Sequence, residues 1–283
     1  MNQLKLKQML TDFFNEDIGD HDLSAELLFS IDTKGEFTLF SKDEGIFCGE
    51  SIIQNGFKLL DEQAHITFFK NDGDALHYGD QIAKISGSIK ALLSGERVVL
   101  NLIQRMSAIA TKTAIAVAQT EGTKTKICDT RKTTPGLRML EKYAVTVGGG
   151  FNHRNGLYDC VMLKDNHISF AGGITEAIQI VKKNIGHTVK IEVEVETKED
   201  LLEAIKAEAS IIMLDNCSPE QLSEWLPLIP KHIVSEVSGG ITIDTIQAYA
   251  KSGVDCISLG ALTHSINAFD ISALVKIKES LKK

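Results

Sequence analysis

Six short β-branched runs recur between Lys126 and Leu262, and no other feature limits the possible fold as strongly. They read KICD, CVMLKD, VKIEVEVE, SIIMLDN, HIVSEVSGG and CISLGAL. Helix-patterned stretches separate the later ones, among them ITEAIQIVKKNI, EDLLEAIKAEA and TIDTIQAYAKSG. Strands that alternate with helices form parallel βαβ units, because a parallel neighbour is reached only through a crossover. Near-continuous apolar strands belong to a sheet covered on both faces. A closed eight-stranded barrel usually takes about 250 residues. Six strands in a shorter span predict an α/β fold with a small or incomplete parallel β/α barrel, and a doubly wound open sheet is the alternative.

The first part of the chain has a different texture. LKQMLTDFF and GESIIQNGFKLLDE have helical spacing, while GEFTLFSK, HITFFK and GDQIAKISGSI read as strands. Without regular alternation, these predict an N-terminal α+β, sandwich-like domain over residues 1–105. A long amphipathic helix, ERVVLNLIQRMSAIATKTAIAVAQ, leads into a catalytic barrel expected over 106–266, with the segment 267–283 joining the N-terminal domain.

Composition narrows the function. The chain has 283 residues and a net charge of −8, with 43% hydrophobic residues. An acidic chain lacks the broad basic footprint needed for nucleic acid or an anionic membrane. No run approaches the roughly 18 apolar residues of a membrane span. MNQLKLKQMLTDFFNED has no signal-peptide core. Cys48, Cys128, Cys160, Cys217 and Cys256 are odd in number and lack CxxC spacing, which reads as buried free thiols in a reducing compartment. A cytoplasmic location is expected.

In parallel α/β folds chemistry collects at the C-terminal ends of strands. Here those ends carry Asp129 to Lys132, Lys164 to His167, Asp215 and Asn216, Ser238 to Gly240, and Gly260 with Ala261. Glu192, Glu194 and Glu196 alternate and so share a strand face. If that face points inward the acids must be paired, metal-bound or protonated; a solvated edge strand would leave them ordinary. From Arg131 to His167 six Lys/Arg (Arg131, Lys132, Arg138, Lys142, Arg154, Lys164) face three acids. This local surplus of positive charge suits a carboxylate or phosphate ligand. Lys142 reads as a surface residue, and GGGFNHRNGL as a flexible loop carrying Arg154 inward. Glycines in SGG and SLGAL allow close backbone approach to a phosphate, aided by a following helix start. There is no GxSxG, Walker A or strand-borne GxGxxG. The combination fits a phosphorylated substrate joined to a carboxylated one, with Mg²⁺.

The stretch DTRKTTPGLRMLEKYAVTVGGGFNHRNGLYDCVMLKDNH closely resembles the signature of the quinolinate phosphoribosyltransferases. EDIGDHDLS, LLSGERVVLNLIQRMSAIAT, IEVEVE, IIMLDN, EVSGGIT and GVDCISLGALTHS extend the resemblance over most of the chain. It implies transfer of phosphoribose from phosphoribosyl pyrophosphate to quinolinate with decarboxylation. The products would be nicotinate mononucleotide, pyrophosphate and carbon dioxide, on the route to NAD. By motif position, Arg131, Lys132, Thr133, His153 and Arg154 would line the quinolinate site. Arg97 would reach it from a neighbouring subunit, making at least a homodimer. Lys164 would contact substrate. Glu194 and Asp215 would hold the ribose hydroxyls and Mg²⁺. Ser238, Gly239, Gly240, Gly260 and Ala261 would cradle the 5′-phosphate. Lys132, Lys164, Glu194 and Asp215 are the catalytic set this implies.

His21 stands where the family has glycine, in an N-terminal turn away from the cation cluster. Glu196 has no assigned role. Two other readings compete. The molybdate-transport-associated paralogues would take a different acceptor, but typically alter the KDNH stretch, which is intact here as LKDNH. A silent phosphometabolite-binding barrel would be marked by loss of the cations or of Glu194 and Asp215, and all are present.

Overall fold

A computed structural model of the chain describes residues 1–275. In chain order its strands are β1 (Lys34–Ser41), β2 (Gly45–Ile46), β3 (His65–Phe68), β4 (Ala75–Leu76), β5 (Gln81–Ser88), β6 (Lys126–Cys128), β7 (Val161–Leu163), β8 (Ile191–Val195), β9 (Ile211–Asp215), β10 (Val234–Ser238), β11 (Cys256–Ser258) and β12 (Ile271–Val275). The helices are α1 (Gln3–Ile18), α2 (Leu23–Leu28), α3 (Glu50–Leu60), α4 (Ile89–Ala118), α5 (Arg138–Val147), α6 (Asp165–Ala171), α7 (Ile174–Asn184), α8 (Lys198–Lys206), α9 (Pro219–Trp225), α10 (Ile246–Lys251) and α11 (Ala261–His264).

The chain divides into two compact units. One comprises Met1–Thr111, Met139–Gly148 and the described residues from Ile266 on; the other comprises Lys112–Arg138 and Gly149–Ser265. The expected barrel span 106–266 therefore differs from the second unit chiefly by Met139–Gly148. The reason is visible in the side chains of α5. Glu141, 1% exposed, accepts from the Arg105 guanidinium at 2.8 and 2.7 Å. Tyr143 donates its hydroxyl to Asp72 Oδ2 at 2.8 Å. Oδ1 of the same Asp72 accepts the backbone N–H groups of Gly49 and Glu50, so one carboxylate caps α3 and anchors α5. Lys142, expected at the surface, is 3% exposed: α5 buries Leu140 through Lys142 together with Ala144 and Val145, which is more than one stripe.

The first unit is built on an antiparallel sheet in the order β12-β1-β5-β3. Alternation in β5 sends Ala83, Ile85 and Gly87 into the interior, and Ile82, where the pairing with β1 shifts register, is buried as well. There Phe37 and Phe57 meet edge to face at 5.5 Å. β12 pairs with β1 from Phe37↔Val275 to Ser41↔Ile271. This places residues 271–275 of the expected C-terminal segment in the first unit; residues 276–283 lie outside the described residues.

The second unit holds a parallel sheet in the order β6-β11-β10-β9-β8-β7. All six expected strands are present, and apolar burial at Ile127, Val193, Ile212, Leu214, Val237 and Ile257 covers the sheet as the sequence requires. Beyond β6 the chain segment at Phe151 runs alongside, bridging to Cys128 in parallel sense; its N–H donates to Ile127 O at 2.8 Å. The loop expected to be flexible is therefore tied to the sheet edge. No described helix is long and apolar enough to cross a membrane.

Candidate active site

Because every strand of the second unit runs the same way, the C-terminal ends of β6 to β11 share one side of the sheet. Leaving β6, the chain passes Asp129, fully buried, whose carboxylate accepts from Asn152 Nδ2 at 2.6 Å and from the backbone N–H of His153 at 2.8 Å. One acid thus holds the turn that precedes Arg154. Arg131 follows two residues later, and its Nε is buried with no hydrogen-bond partner among the described residues. Burial, then the charges of Arg154 and Arg138, hold its guanidinium below its ordinary pKa. Three guanidiniums are therefore crowded together. Their hydrogen-bond acceptors among the described residues are neutral: Arg138 donates to Thr133 Oγ1 at 2.9 Å and to Asn155 O, and Arg154 to Cys160 O at 3.3 Å. Like charges stay this close when an anion is to be shared between them.

A second set lies on β7, β8 and β9. Lys164, half exposed at the end of β7, forms an ion pair with Glu194 of β8. Asp215, at the end of β9, is raised above its ordinary pKa by burial first and Glu194 second, with Lys164 and Lys132 acting against them. Lys132, Lys164, Glu194 and Asp215 are thus one electrostatic group. Lys132 is steered there by Gly260: a Cβ at 260 would stand 2.8 Å from Lys132 Cδ. Thr263 Oγ1 also donates to Lys132 O at 2.8 Å.

The glycine ends behave differently from one another. Gly239 has φ +92°, and a Cβ there would collide with the Asn216 side chain, so only glycine fits. Gly240 continues the turn at φ +64°. Ser238 accepts the Asn216 N–H on its backbone oxygen and donates its hydroxyl to Ser258 O. The expected contribution of a following helix start is small: α10 begins six residues after Gly240, and α11, which starts at Ala261 beside Gly260, has four residues.

Among the alternating acids of β8, depth separates the roles. Glu192 is fully buried, Glu194 lies at the rim, and Glu196 is exposed beyond the strand end. His153, expected to line the acceptor site, turns inward. Its Nε2 lies 3.1 Å from both Glu192 oxygens and 3.4 Å from Glu236 Oε1, while its Nδ1 accepts the Arg154 N–H at 2.7 Å. Asp129 was read at a strand end without a role, and Glu236 was not among the expected site residues. The available signal for Glu236 was an acid inside the apolar run HIVSEV. Arg97 lies exposed on α4 in the first unit.

Comparison with known proteins agrees over nearly the whole chain. Residues 22–107 match the quinolinate phosphoribosyl transferase N-terminal domain, and 109–274 the quinolinate phosphoribosyl transferase C-terminal domain. A probable nicotinate-nucleotide pyrophosphorylase [carboxylating] of Bacillus subtilis is 54% identical over 96% of this chain and 94% of its own length. A chloroplastic nicotinate-nucleotide pyrophosphorylase [carboxylating] of Oryza sativa is 40% identical over 98% of this chain and 79% of its own. The crystal structure of NadC from Streptococcus pyogenes superposes with a TM-score of 0.93 at 38% identity, covering 98% of this chain and 99% of that one. The chain therefore belongs to the quinolinate phosphoribosyltransferase family.

Proposed function

We propose that the second unit transfers phosphoribose from phosphoribosyl pyrophosphate to quinolinate and then decarboxylates the product. The observation that carries this reading is the crowding of Arg131, Arg138 and Arg154 with neutral partners, beside a group that already contains its own carboxylates. Quinolinate is a dianion, and its two carboxylates match a set of guanidinium forks.

The pyridine nitrogen attacks C1 of the donor, and pyrophosphate leaves with the bonding electron pair. Positive charge developing at C1 is stabilised by Glu194 and Asp215, and charge on the departing pyrophosphate by Lys132 and Lys164. The ring nitrogen is then cationic. When the C2 carboxylate departs as carbon dioxide, the electron pair left at C2 is stabilised by that adjacent charge and then takes a proton. Nothing here requires a protein nucleophile; the residues position two anions and preorganise charge. The 5′-phosphate is assigned to Ser238, Gly239, Gly240, Gly260 and Ala261.

The carboxylates fit a divalent cation. Asp215 is burdened by burial and by Glu194, a repulsion that a hard cation with oxygen ligands relieves. Glu194 and Asp215 would hold Mg²⁺ together with donor oxygens, and bound Mg²⁺ would neutralise the pyrophosphate leaving group. We assign Arg97 to the active site of a second copy. Exposed Leu157, Tyr158 and Phe170, at 74%, 83% and 92%, support a homodimer as the working form. The five free thiols support a reducing, cytoplasmic setting.

The test is to mix purified protein with quinolinate, phosphoribosyl pyrophosphate and Mg²⁺ and follow nicotinate mononucleotide and carbon dioxide. Stoichiometric formation of both is expected. Product from nicotinate without carbon dioxide, or none from quinolinate, would reject the assignment.

A further inference from the structure

Below the arginines lies a buried group that the reaction as described does not use: His153, Glu192 and Glu236, whose ligand atoms all lie within 4.8 Å of one another. One imidazole and two carboxylates form the donor set of a metal site. The hydrogen bonding of the ring argues against that reading. A metal on Nε2 needs a lone pair there, and a neutral imidazole has only one. That lone pair is at Nδ1, where the Arg154 backbone N–H is accepted at 2.7 Å. The proton is therefore on Nε2, pointing at Glu192 and Glu236.

We propose that Glu192, with Glu236 behind it, is a positioning residue that acts through His153 on Arg154. The proposal rests on the assignment of Arg154 to the acceptor site. Glu192 holds the Nε2–H, which fixes the tautomer and the plane of the ring. The fixed ring offers its Nδ1 lone pair to the Arg154 N–H, and Asp129 holds the His153 N–H from the other side of the same turn. Two successive backbone groups are thereby pinned to side chains, and the Arg154 guanidinium starts from a fixed Cα. The roof of the group is closed by Ser258, which donates its hydroxyl to Glu236 Oε1 at 2.5 Å. Glu192 is fully buried and Glu236 is 3% exposed, which keeps water from competing for the ring proton. His153 is in this arrangement a strut between an acid and a backbone amide.

The experiment has two arms. In the kinetic arm, Glu192→Leu removes the acceptor of the ring proton and Glu192→Gln keeps one in its amide oxygen. Glu192→Leu is expected to raise the KM for quinolinate by about tenfold or more and leave that for phosphoribosyl pyrophosphate within about twofold. Glu192→Gln is expected to recover most of the loss. Equal effects on both substrates, no change in the quinolinate KM, or Gln as damaging as Leu would overturn the proposal. In the second arm, ¹⁵N spectra of histidine-labelled wild-type protein at neutral pH are expected to show His153 protonated on Nε2 only. This arm does not depend on the acceptor's identity or on any variant folding. A ring protonated on Nδ1, or stoichiometric metal on the purified protein bound through His153, would sink the proposal even if the enzyme makes nicotinate mononucleotide. Absence of that product with the Nε2–H tautomer present would reject the functional reading while leaving the strut in place.

Discussion

Arg131, Arg138 and Arg154 stand within range of one another, and among the described residues Arg138 and Arg154 donate to a hydroxyl and backbone carbonyls, whereas Glu194 and Asp215 stand beside Lys164 and Lys132. Both groups sit on strand ends or adjoining loops of one sheet, apart from Arg138, which opens α5. One is left short of counter-charge, and the other supplies its own. The anionic ligand proposed for the arginine group would gain whatever repulsion it relieves. The mixed group is already near neutrality, so a charged ligand gains less from it in the ground state. It is suited to charge that appears only during reaction.

The comparison breaks most directly at Arg154. Arg154→Ala is expected to lower kcat/KM by on the order of 100-fold or more, about 3 kcal/mol of transition-state stabilisation; steady-state kinetics with quinolinate varied reads it. A loss below about threefold would mean the arginines are not the anion site. Next is the acid under them. Burial first and Glu192 second push Glu236 up to about 7, with His153 and the Ser258 hydroxyl acting the other way and Asp129 adding to the rise. A carboxyl raised in the fold binds its proton more tightly there than in the unfolded chain. Its contribution to stability is complete below pH 4.5 and is lost as pH rises through about 7. Glu236→Gln has no such proton. Its stability relative to wild type is expected to grow by about 3 kcal/mol between those limits and then level off; urea unfolding at several pH values decides it. A pH-independent difference would place Glu236 as an ordinary ionised group.

Smaller effects sharpen the contrast. Gly239→Ala is expected to cost roughly 1–3 kcal/mol, because the backbone is left-handed there and Asn216 fills the space; thermal unfolding measures it. Lys164→Met leaves Glu194 and Asp215 without their lysine. It is expected to lower the Mg²⁺ concentration needed for half-maximal rate by up to about fivefold, a small effect because Lys164 is 42% exposed and screened by solvent. An unchanged or higher Mg²⁺ requirement would remove those two carboxylates from the metal's ligands.

The six parallel strands were legible because each was a bounded apolar run, and their polar ends supplied the candidate residues that the parallel sheet gathers on one side. Depth was not legible. Alternation shows that Glu192 and Glu194 share a face, yet one is sealed and the other sits at the rim, and period two carries no information on that. The inward turn of His153 depends on β8 and β10 meeting it, across 39 residues in the case of Glu192. The place of α5 depends on Tyr143 finding Asp72, 71 residues earlier. Local pattern cannot encode such distant partners. Lys142 illustrates the cost: a lysine after a glutamate on a short helix reads as solvated, and here it is buried.

The first unit takes its residues from three separated lengths of chain. No single cut yields it whole, and a fragment starting at Lys112 and ending at Ser265 would carry α5 without the Asp72 and Arg105 that hold it. A gene for this protein therefore cannot trade one half for that of a relative by a simple crossover. Each exchange would strand a ten-residue passenger in the wrong half, and the two units must be inherited, expressed and engineered as a single piece of text.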